Sequence, residues 1–297
     1  MNRQDAALTE LARLRPRLFG IAYRMLGTVA DAEDAMQETF LRWEQARLKG
    51  ETIETLEAWL VSVATRICID QLRSARVRRE EYIGQWLPEP LVIDPGEEAE
   101  AMVETSEALS MAFLLLLERL TPVERAVFLL HEVFGYAYAE IAPMVDKNEA
   151  ACRQFAKRAR ERLAIGQPRF HPDEAEGERL AAEFLRACTD GDLPGLLALL
   201  TEEVELVGDG GGKAAAAREP IVGRERVARA LLGFVPLAPA GWTAAPAPVN
   251  GGPGLVVRAA DGAPFAVMAF DADGGRIAAI RIVINPDKLQ RISPAES

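Results

Sequence analysis

Ala139-Glu140-Ile141-Ala142-Pro143-Met144-Val145-Asp146-Lys147-Asn148-Glu149-Ala150-Ala151-Cys152-Arg153-Gln154-Phe155-Ala156-Lys157-Arg158-Ala159-Arg160-Glu161-Arg162-Leu163 is the stretch on which the reading of this chain turns. Ala139 to Val145 reads as a short helix, Asp146-Lys147 as a turn, and Asn148 as the N-cap of a long helix that begins at Glu149. In that second helix Cys152, Ala156, Ala159 and Leu163 recur at helical spacing, one narrow apolar stripe suited to packing on the first helix. The remaining faces present Arg153, Gln154, Lys157, Arg158, Arg160 and Arg162. Such a layout predicts a helix-turn-helix, because cations bind phosphates while Arg, Gln and Lys donate to base edges in the major groove. Pro143 removes a hydrogen bond to Ala139, so the first helix must be short there. Asp146 stands where glycine would be easiest, and Asp tolerates the left-handed conformation better than most residues.

The bulk charge of the whole chain argues against a nucleic-acid partner. Its 297 residues carry 34 Lys plus Arg against 45 Asp plus Glu, a net charge of −11. Phosphate neutralisation takes clustered cations, which an acidic chain lacks in bulk. The charge is segregated, however. Residues 1–80 net +1 and residues 147–170 net +5, whereas residues 81–146 net −11 and residues 171–297 net −6. Acidity therefore sits in the middle and at the end, away from the two regions with basic helices. With 49% hydrophobic residues, the chain has material for two or more ordinary cores.

Four blocks follow from the patterning. Residues 1–80 are helical, and 81–105 form an acidic linker with Pro88, Pro90 and Pro95. Residues 106–168 are helical again, with Thr121-Pro122-Val123-Glu124 as a helix start. Residues 172–297 read as α+β: a helix from Glu174 to Thr189, another from Arg224 to Leu232, and strands at Val204–Val207, 255–257, 265–270 and 276–284. The last two flank Asp271-Ala272-Asp273-Gly274-Gly275 as a hairpin.

Several classes are excluded or disfavoured. The most apolar run, Met111–Leu117, is far shorter than the roughly 20 residues of a membrane span, so no membrane partner is expected. The N-terminus lacks a signal-peptide pattern, and Cys68, Cys152 and Cys188 read as buried thiols, which together predict a cytoplasmic protein. His131 and His171 are the two histidines, too few for a histidine-rich metal site or a serine-histidine triad; no metal and no cofactor is expected.

In the first block Val29, Ala32, Met36, Phe40 and Trp43 make a core-facing stripe, opposite an acidic face with Asp34, Gln37, Glu38 and an exposed Leu41. An apolar residue ringed by carboxylates suits a protein interface, although a plain solvated face fits the periodicity equally. From Trp59 a second amphipathic helix becomes basic toward its end, with Arg66, Arg73, Arg76, Arg78 and Arg79 against Asp70. A basic helix end with an aromatic nearby can hold phosphates and stack an unpaired base; alternatively Trp59 is core.

The run Asp31 to Trp43, the Trp59–Arg73 helix and the helix-turn-helix in this order resemble a bacterial RNA polymerase sigma factor of the extracytoplasmic-function class. Tyr82-Ile83-Gly84-Gln85-Trp86-Leu87-Pro88-Glu89-Pro90-Leu91, Asp209-Gly210-Gly211-Gly212-Lys213 and Asn285-Pro286-Asp287-Lys288-Leu289 resemble marks of its SigJ-type subgroup, which has a SnoaL-like C-terminal extension. The resemblance implies a multidomain fold: two all-α sigma domains, the second with the helix-turn-helix, plus an α+β SnoaL-like cone. It assigns Asp34, Gln37, Glu38, Phe40 and Leu41 to docking on core RNA polymerase, at the β′ clamp helices, with the β subunit a further contact. Trp59, Arg66, Asp70, Arg73 and Arg76 fall to the minus-ten element of promoter DNA, with Arg66 where many relatives have Asn. Asn148, Arg153, Gln154, Lys157 and Arg158 fall to the minus-thirty-five element. The extension is implied to be a built-in regulator in place of a separate anti-sigma protein, with Trp86, Pro88, Asp209, Gly210, Gly211, Gly212, Lys213, Asn285, Pro286, Asp287 and Lys288 as regulatory residues. Sigma factors do no covalent chemistry, so no enzyme is expected.

Within the extension, the glycine triplet is expected to contact the linker, with Lys213 and Lys288 pairing with Glu81 and Glu89. The alternative is a small-molecule sensor or isomerase-like enzyme. Its pocket would be lined by Val204, Leu206, Trp242, Val267 and Phe270, with Asp209 as general base, and it requires a deeply buried Asp beside a second polar group. A third reading is a transcriptional regulator that never touches polymerase.

Overall fold

The computed structural model describes residues 3–80, 82–92, 109–163 and 174–293, which divide into two compact units. The N-terminal unit contains residues 3–80 and 114–163. Its first part is α1 (Arg3–Leu26), α2 (Val29–Leu48) and α3 (Leu56–Glu80), mutually packed. Thr28 starts α2 by accepting the Asp31 amide at 3.1 Å, and Ala32, Ala35, Met36, Thr39 and Ala46 are its buried side. Phe40 and Trp43 are half-buried, so the core-facing stripe is narrower than the sequence suggested. Small residues let α2 approach its neighbours closely, which leaves the two large rings at the margin.

The second part of this unit is α4 (Met111–Leu117) from Leu114 onward, α5 (Pro122–Phe128), a π-helical turn (Leu129–Val133), α6 (Tyr138–Met144) and α7 (Glu149–Leu163). Thr121 and Glu124 form the expected capping box at the start of α5. α6 ends one residue after Pro143, and Asp146 takes φ +55 in the turn before α7. Cys152, Ala156, Ala159 and Leu163 are all buried. The helix-turn-helix is thus present, with the stripe inward.

The C-terminal unit contains residues 82–92, 109–113 and 174–293. Helices α8 (Glu174–Asp190), α9 (Leu193–Leu199) and α10 (Arg224–Phe234) accompany β1 (Leu200–Asp209), β2 (Ile221–Val222), β3 (Thr243–Pro246), β4 (Gly254–Arg258), β5 (Pro264–Asp273) and β6 (Arg276–Val283). One sheet runs β2-β1-β6-β5-β4-β3, antiparallel except for the β1–β6 pair. The β5–β6 turn is only Gly274-Gly275, both at positive φ, because a two-residue turn needs that backbone to match the strand twist.

Side chains alternate between the sheet's faces. Val204 and Leu206 of β1, Ile280 and Ile282 of β6 and Phe270 of β5 join Leu180, Phe184, Leu196 and Leu231 of the helices in one core. The Phe184 and Phe270 rings lie 4.8 Å apart. Asp209, Val283, Val267 and Val256 are register partners across four strands and face the other side.

Candidate nucleic-acid interface and linker site

On α2, Asp34, Gln37 and Leu41 are exposed, with Leu41 at 59%, and Glu38 pairs with Arg42 at 2.8 Å. The acidic face with its unburied leucine therefore exists on the folded surface. On α3, Asp70 and Arg73 are exposed and pair with each other at 3.0 Å, and Trp59 is half-buried. The side chain of Arg76 lies outside the described residues.

Arg66 has a different setting. Its Nη2 donates to the Pro143 carbonyl at 2.6 Å and its Nε to the Met144 carbonyl at 3.1 Å. These carbonyls end α6, where unsatisfied acceptors and the negative end of the helix dipole favour a cation. α3 is thereby bonded to the first helix of the helix-turn-helix. Further ties reinforce this packing. Arg17 donates to Tyr136 Oη (3.1 Å) and the Phe134 carbonyl (2.9 Å), and Tyr136 Oη donates to Glu57 at 3.0 Å. Arg125, 3% exposed, donates to the Met25 carbonyl at 2.6 Å and pairs with Glu118 at 2.9 Å; burial pushes its guanidinium down to about 9.

Along α7 the cations separate into two groups. Asn148 Oδ1 caps the helix by accepting the Ala151 amide at 2.8 Å. Arg153, Gln154 and Lys157 are exposed; Arg153 pairs with Glu149 one turn back on the same helix and lies 5.6 Å from the Tyr138 ring. The second group reaches the preceding helices: Arg158 and Arg162 bond Glu124, and Arg160 bonds Glu132 at 2.5 Å.

In the C-terminal unit, residues 82–92 form an extended strap rather than a free linker, and Leu87 to Pro90 are buried. The anchor is Asp209, 0% exposed. Its Oδ1 accepts Tyr82 Oη at 2.6 Å and the Gly211 amide at 3.0 Å; its Oδ2 accepts the Leu87 amide at 2.9 Å and Lys288 Nζ at 2.7 Å. Lys288, 7% exposed, also donates to the Leu87 carbonyl and lies 4.5 Å from the Trp86 ring and 5.3 Å from the Tyr82 ring. Two aromatic faces and two oxygens thus replace its water. Asn285 accepts the Asp287 amide and donates to Tyr82 Oη at 3.0 Å. Burial, with the Asp209 hydrogen bond, raises the pKa of the Tyr82 phenol.

The glycine triplet is the turn that this knot requires. A Cβ on Gly210 would stand 2.2 Å from the Ala214 carbonyl oxygen, and one on Gly211, at φ +61, 2.3 Å from Asn285 Nδ2. Asn250, which the sequence reading missed, holds the other end of the strap. It exchanges hydrogen bonds with Leu91 (2.8 and 3.0 Å), and its Nδ2 donates to the Leu109 carbonyl at 3.1 Å. Asn250-Gly251-Gly252, with Asn250 at φ +52, is a turn signature that could have flagged it.

Two expectations need correction. Lys213 pairs with Asp287 at 2.6 Å, not with the linker's Glu89, because the Gly210–Gly212 turn points it toward the 286–288 helical turn; Glu81 lies outside the described residues. Lys288 does meet the strap, at the Leu87 carbonyl, and it pairs with the buried Asp209. The proposed pocket is not one cavity lining either. Val204, Leu206 and Phe270 belong to the helix-side core and Trp242 packs against it, whereas Val267 and Asp209 face the opposite side. Asp209 does lie buried beside polar groups, as the enzyme reading requires, yet both its oxygens are taken by four protein donors.

No helix among the described residues is long and apolar enough to cross a membrane. Residues 11–78 match Sigma-70 region 2, and residues 110–163 match Sigma-70, region 4. The ECF RNA polymerase sigma factor SigJ of Mycobacterium tuberculosis is 38% identical over 295 residues, covering 95% of this chain and 92% of that one. The probable ECF RNA polymerase sigma factor SigI of the same species is 32% identical, with 97% of each chain covered. The crystal structure of M. tuberculosis SigJ superposes with a TM-score of 0.75 at 33% identity, over 95% of this chain and 97% of that chain. With a helix-turn-helix, matches to Sigma-70 regions 2 and 4 and a SigJ relative aligned along nearly its whole length, the chain belongs to the extracytoplasmic-function RNA polymerase sigma factors, which direct promoter-specific transcription initiation.

Proposed function

We propose that this sigma factor docks on core RNA polymerase through Asp34, Gln37, Glu38, Phe40 and Leu41, reads the minus-ten element with α3 and the minus-thirty-five element with the exposed residues of α7, and is regulated by its own C-terminal domain. The observation that carries the regulatory reading is the strap. Residues 82–92, which follow α3 in the chain, are bonded to Asp209, Lys288 and Asn250 of the C-terminal domain. Any motion of the strap therefore has to be negotiated with that domain.

The packed N-terminal unit is the free, closed form. Promoter elements centred about 25 base pairs apart are separated by roughly 85 Å of duplex at 3.4 Å per pair. Hydrogen bonds from Arg66 join α3 to α6, so the helix-turn-helix and α3 have to part before both elements are held. Arg66 is then released for DNA. A built-in regulator makes a separate anti-sigma protein unnecessary, and the protein works in the cytoplasm with its polymerase. A catalytic role for Asp209 is disfavoured because a general base needs a free lone pair, and a donor on each of its sites leaves none for substrate.

Reconstitution with bacterial core polymerase tests this. Asp34→Arg should lose capture of core polymerase, and Arg153→Ala should weaken holoenzyme binding to promoter DNA by roughly 1–3 kcal/mol. A chain ending at Arg169 should transcribe at a different rate from the full chain. Equal rates would remove the regulatory part, and unchanged capture would remove the docking face.

A further inference from the structure

Glu124 is 3% exposed and sits at the third position of α5, yet it does more than cap that helix. Its Oε2 accepts the Thr121 amide at 3.1 Å and the Thr121 hydroxyl at 2.8 Å, which completes the capping box. The same carboxylate receives two side chains from α7: Arg158 Nε at 3.2 Å on Oε1 and Arg162 Nη1 at 2.5 Å on Oε2. These arginines are one turn apart on α7, so a single buried carboxylate grips two successive turns. Arg158 is further fixed by the Phe155 ring, 4.8 Å away. On the neighbouring side Arg160 bonds Glu132 and the Tyr138 hydroxyl (3.1 Å). The last two turns of α7 are thus fastened to α5, the π-helical turn and α6. Arg153, Gln154 and Lys157 make no such tie: the charge partners of Arg153 and Lys157 are half-buried Glu149 and exposed Glu161, both on α7 itself.

We propose that Glu124 is a positioning residue for reading the upstream promoter element: by holding Arg158 and Arg162 it sets the pitch of α7 and reserves contact with that element for Arg153, Gln154 and Lys157. Arg158, which the resemblance assigns to DNA, is on this view a strut, although its side chain is 48% exposed. Its Nε is committed to a carboxylate that is 3% exposed. The inference rests on the assignment of α7 to the minus-thirty-five element.

The test uses full-length protein in holoenzyme and a promoter fragment that the wild-type holoenzyme selects from DNA randomised in the upstream element, against the same fragment with that element scrambled. Glu124→Gln keeps an amide oxygen for the capping box and removes the charge. It should lower the selected-to-scrambled affinity ratio by roughly tenfold. It should also steepen the dependence of log affinity on log salt by about one to two, as two freed arginines find phosphates. Lys157→Ala should flatten that slope by about one, whereas Arg158→Ala should leave it unchanged. Glu124→Gln that leaves both ratio and slope unchanged, or that weakens binding to both fragments equally at unchanged slope, overturns the proposal. So does an Arg158→Ala slope as flat as that of Lys157→Ala. If Arg153→Ala and Lys157→Ala both leave ratio and slope at wild-type values, α7 does not read this element, and the underlying assignment fails instead.

Discussion

The two faces of the C-terminal sheet are closed by different chemistry. On one, Phe184, Leu196 and Leu231 of the helices cover Val204, Leu206, Phe270 and Ile280, an apolar seal without direction. On the other, Asp209 faces a strap drawn from a distant part of the chain, and the bonds that hold it are directional: a carboxylate with four donors, a lysine between two rings, an asparagine at the far end. Apolar burial gives a permanent closure, since the only alternative is exposure to water. A polar closure can be exchanged, because each net hydrogen bond is worth only about 0.5–1.5 kcal/mol and another partner can supply it. One sheet thus carries an apolar seal on one side and a hydrogen-bonded strap on the other, the arrangement on which the proposed regulation rests.

That contrast can be broken or sharpened by substitution. Phe184→Ala on the helix side and Asp209→Ala on the strap side should each cost about 3–5 kcal/mol, the first by leaving a cavity and the second by stranding the buried Lys288 charge. Chemical denaturation measures both, and hydrogen exchange separates them. Phe184→Ala should raise exchange in α8 with the strap still protected, while Asp209→Ala should deprotect the Leu87 and Leu91 amides. A strap that stays protected in Asp209→Ala would mean that apolar contacts of Leu87 hold it, and the contrast would collapse. Tyr82→Phe removes one hydrogen bond to Oδ1 and should cost about 0.5–1.5 kcal/mol, with faster exchange confined to the strap. Lys213→Ala breaks an ion pair whose partners are both more than half exposed, and should change stability by no more than about 0.5 kcal/mol.

Much of the N-terminal unit was legible because helical periodicity is a local property. The 152, 156, 159, 163 stripe, the Thr121–Glu124 box and the left-handed Asp146 each depend on neighbours within a few positions, and each is where the pattern put it. Strand parity was equally available. Asp209 is out of step with Val204 and Leu206, and Val267 with Phe270, so their placement on opposite faces followed from a period of two. Reading Val267 into one pocket lining with Val204, Leu206 and Phe270, with Asp209 as its general base, overlooked that parity.

What the sequence by itself determined, then, is the order of helices and strands, the buried side of each and the short motifs that mark the family. Tertiary structure decided the partners. Tyr82 meets Asp209 across 127 positions, Arg66 meets the end of α6 across 77, and Lys213 takes Asp287 across 74. A polar side chain satisfies itself with whatever complementary group the folded backbone brings within about 3 Å, and charge sign alone leaves many candidates open. Apolar residues need only a side to face. Polar ones need an address, and that address exists only once the chain has folded.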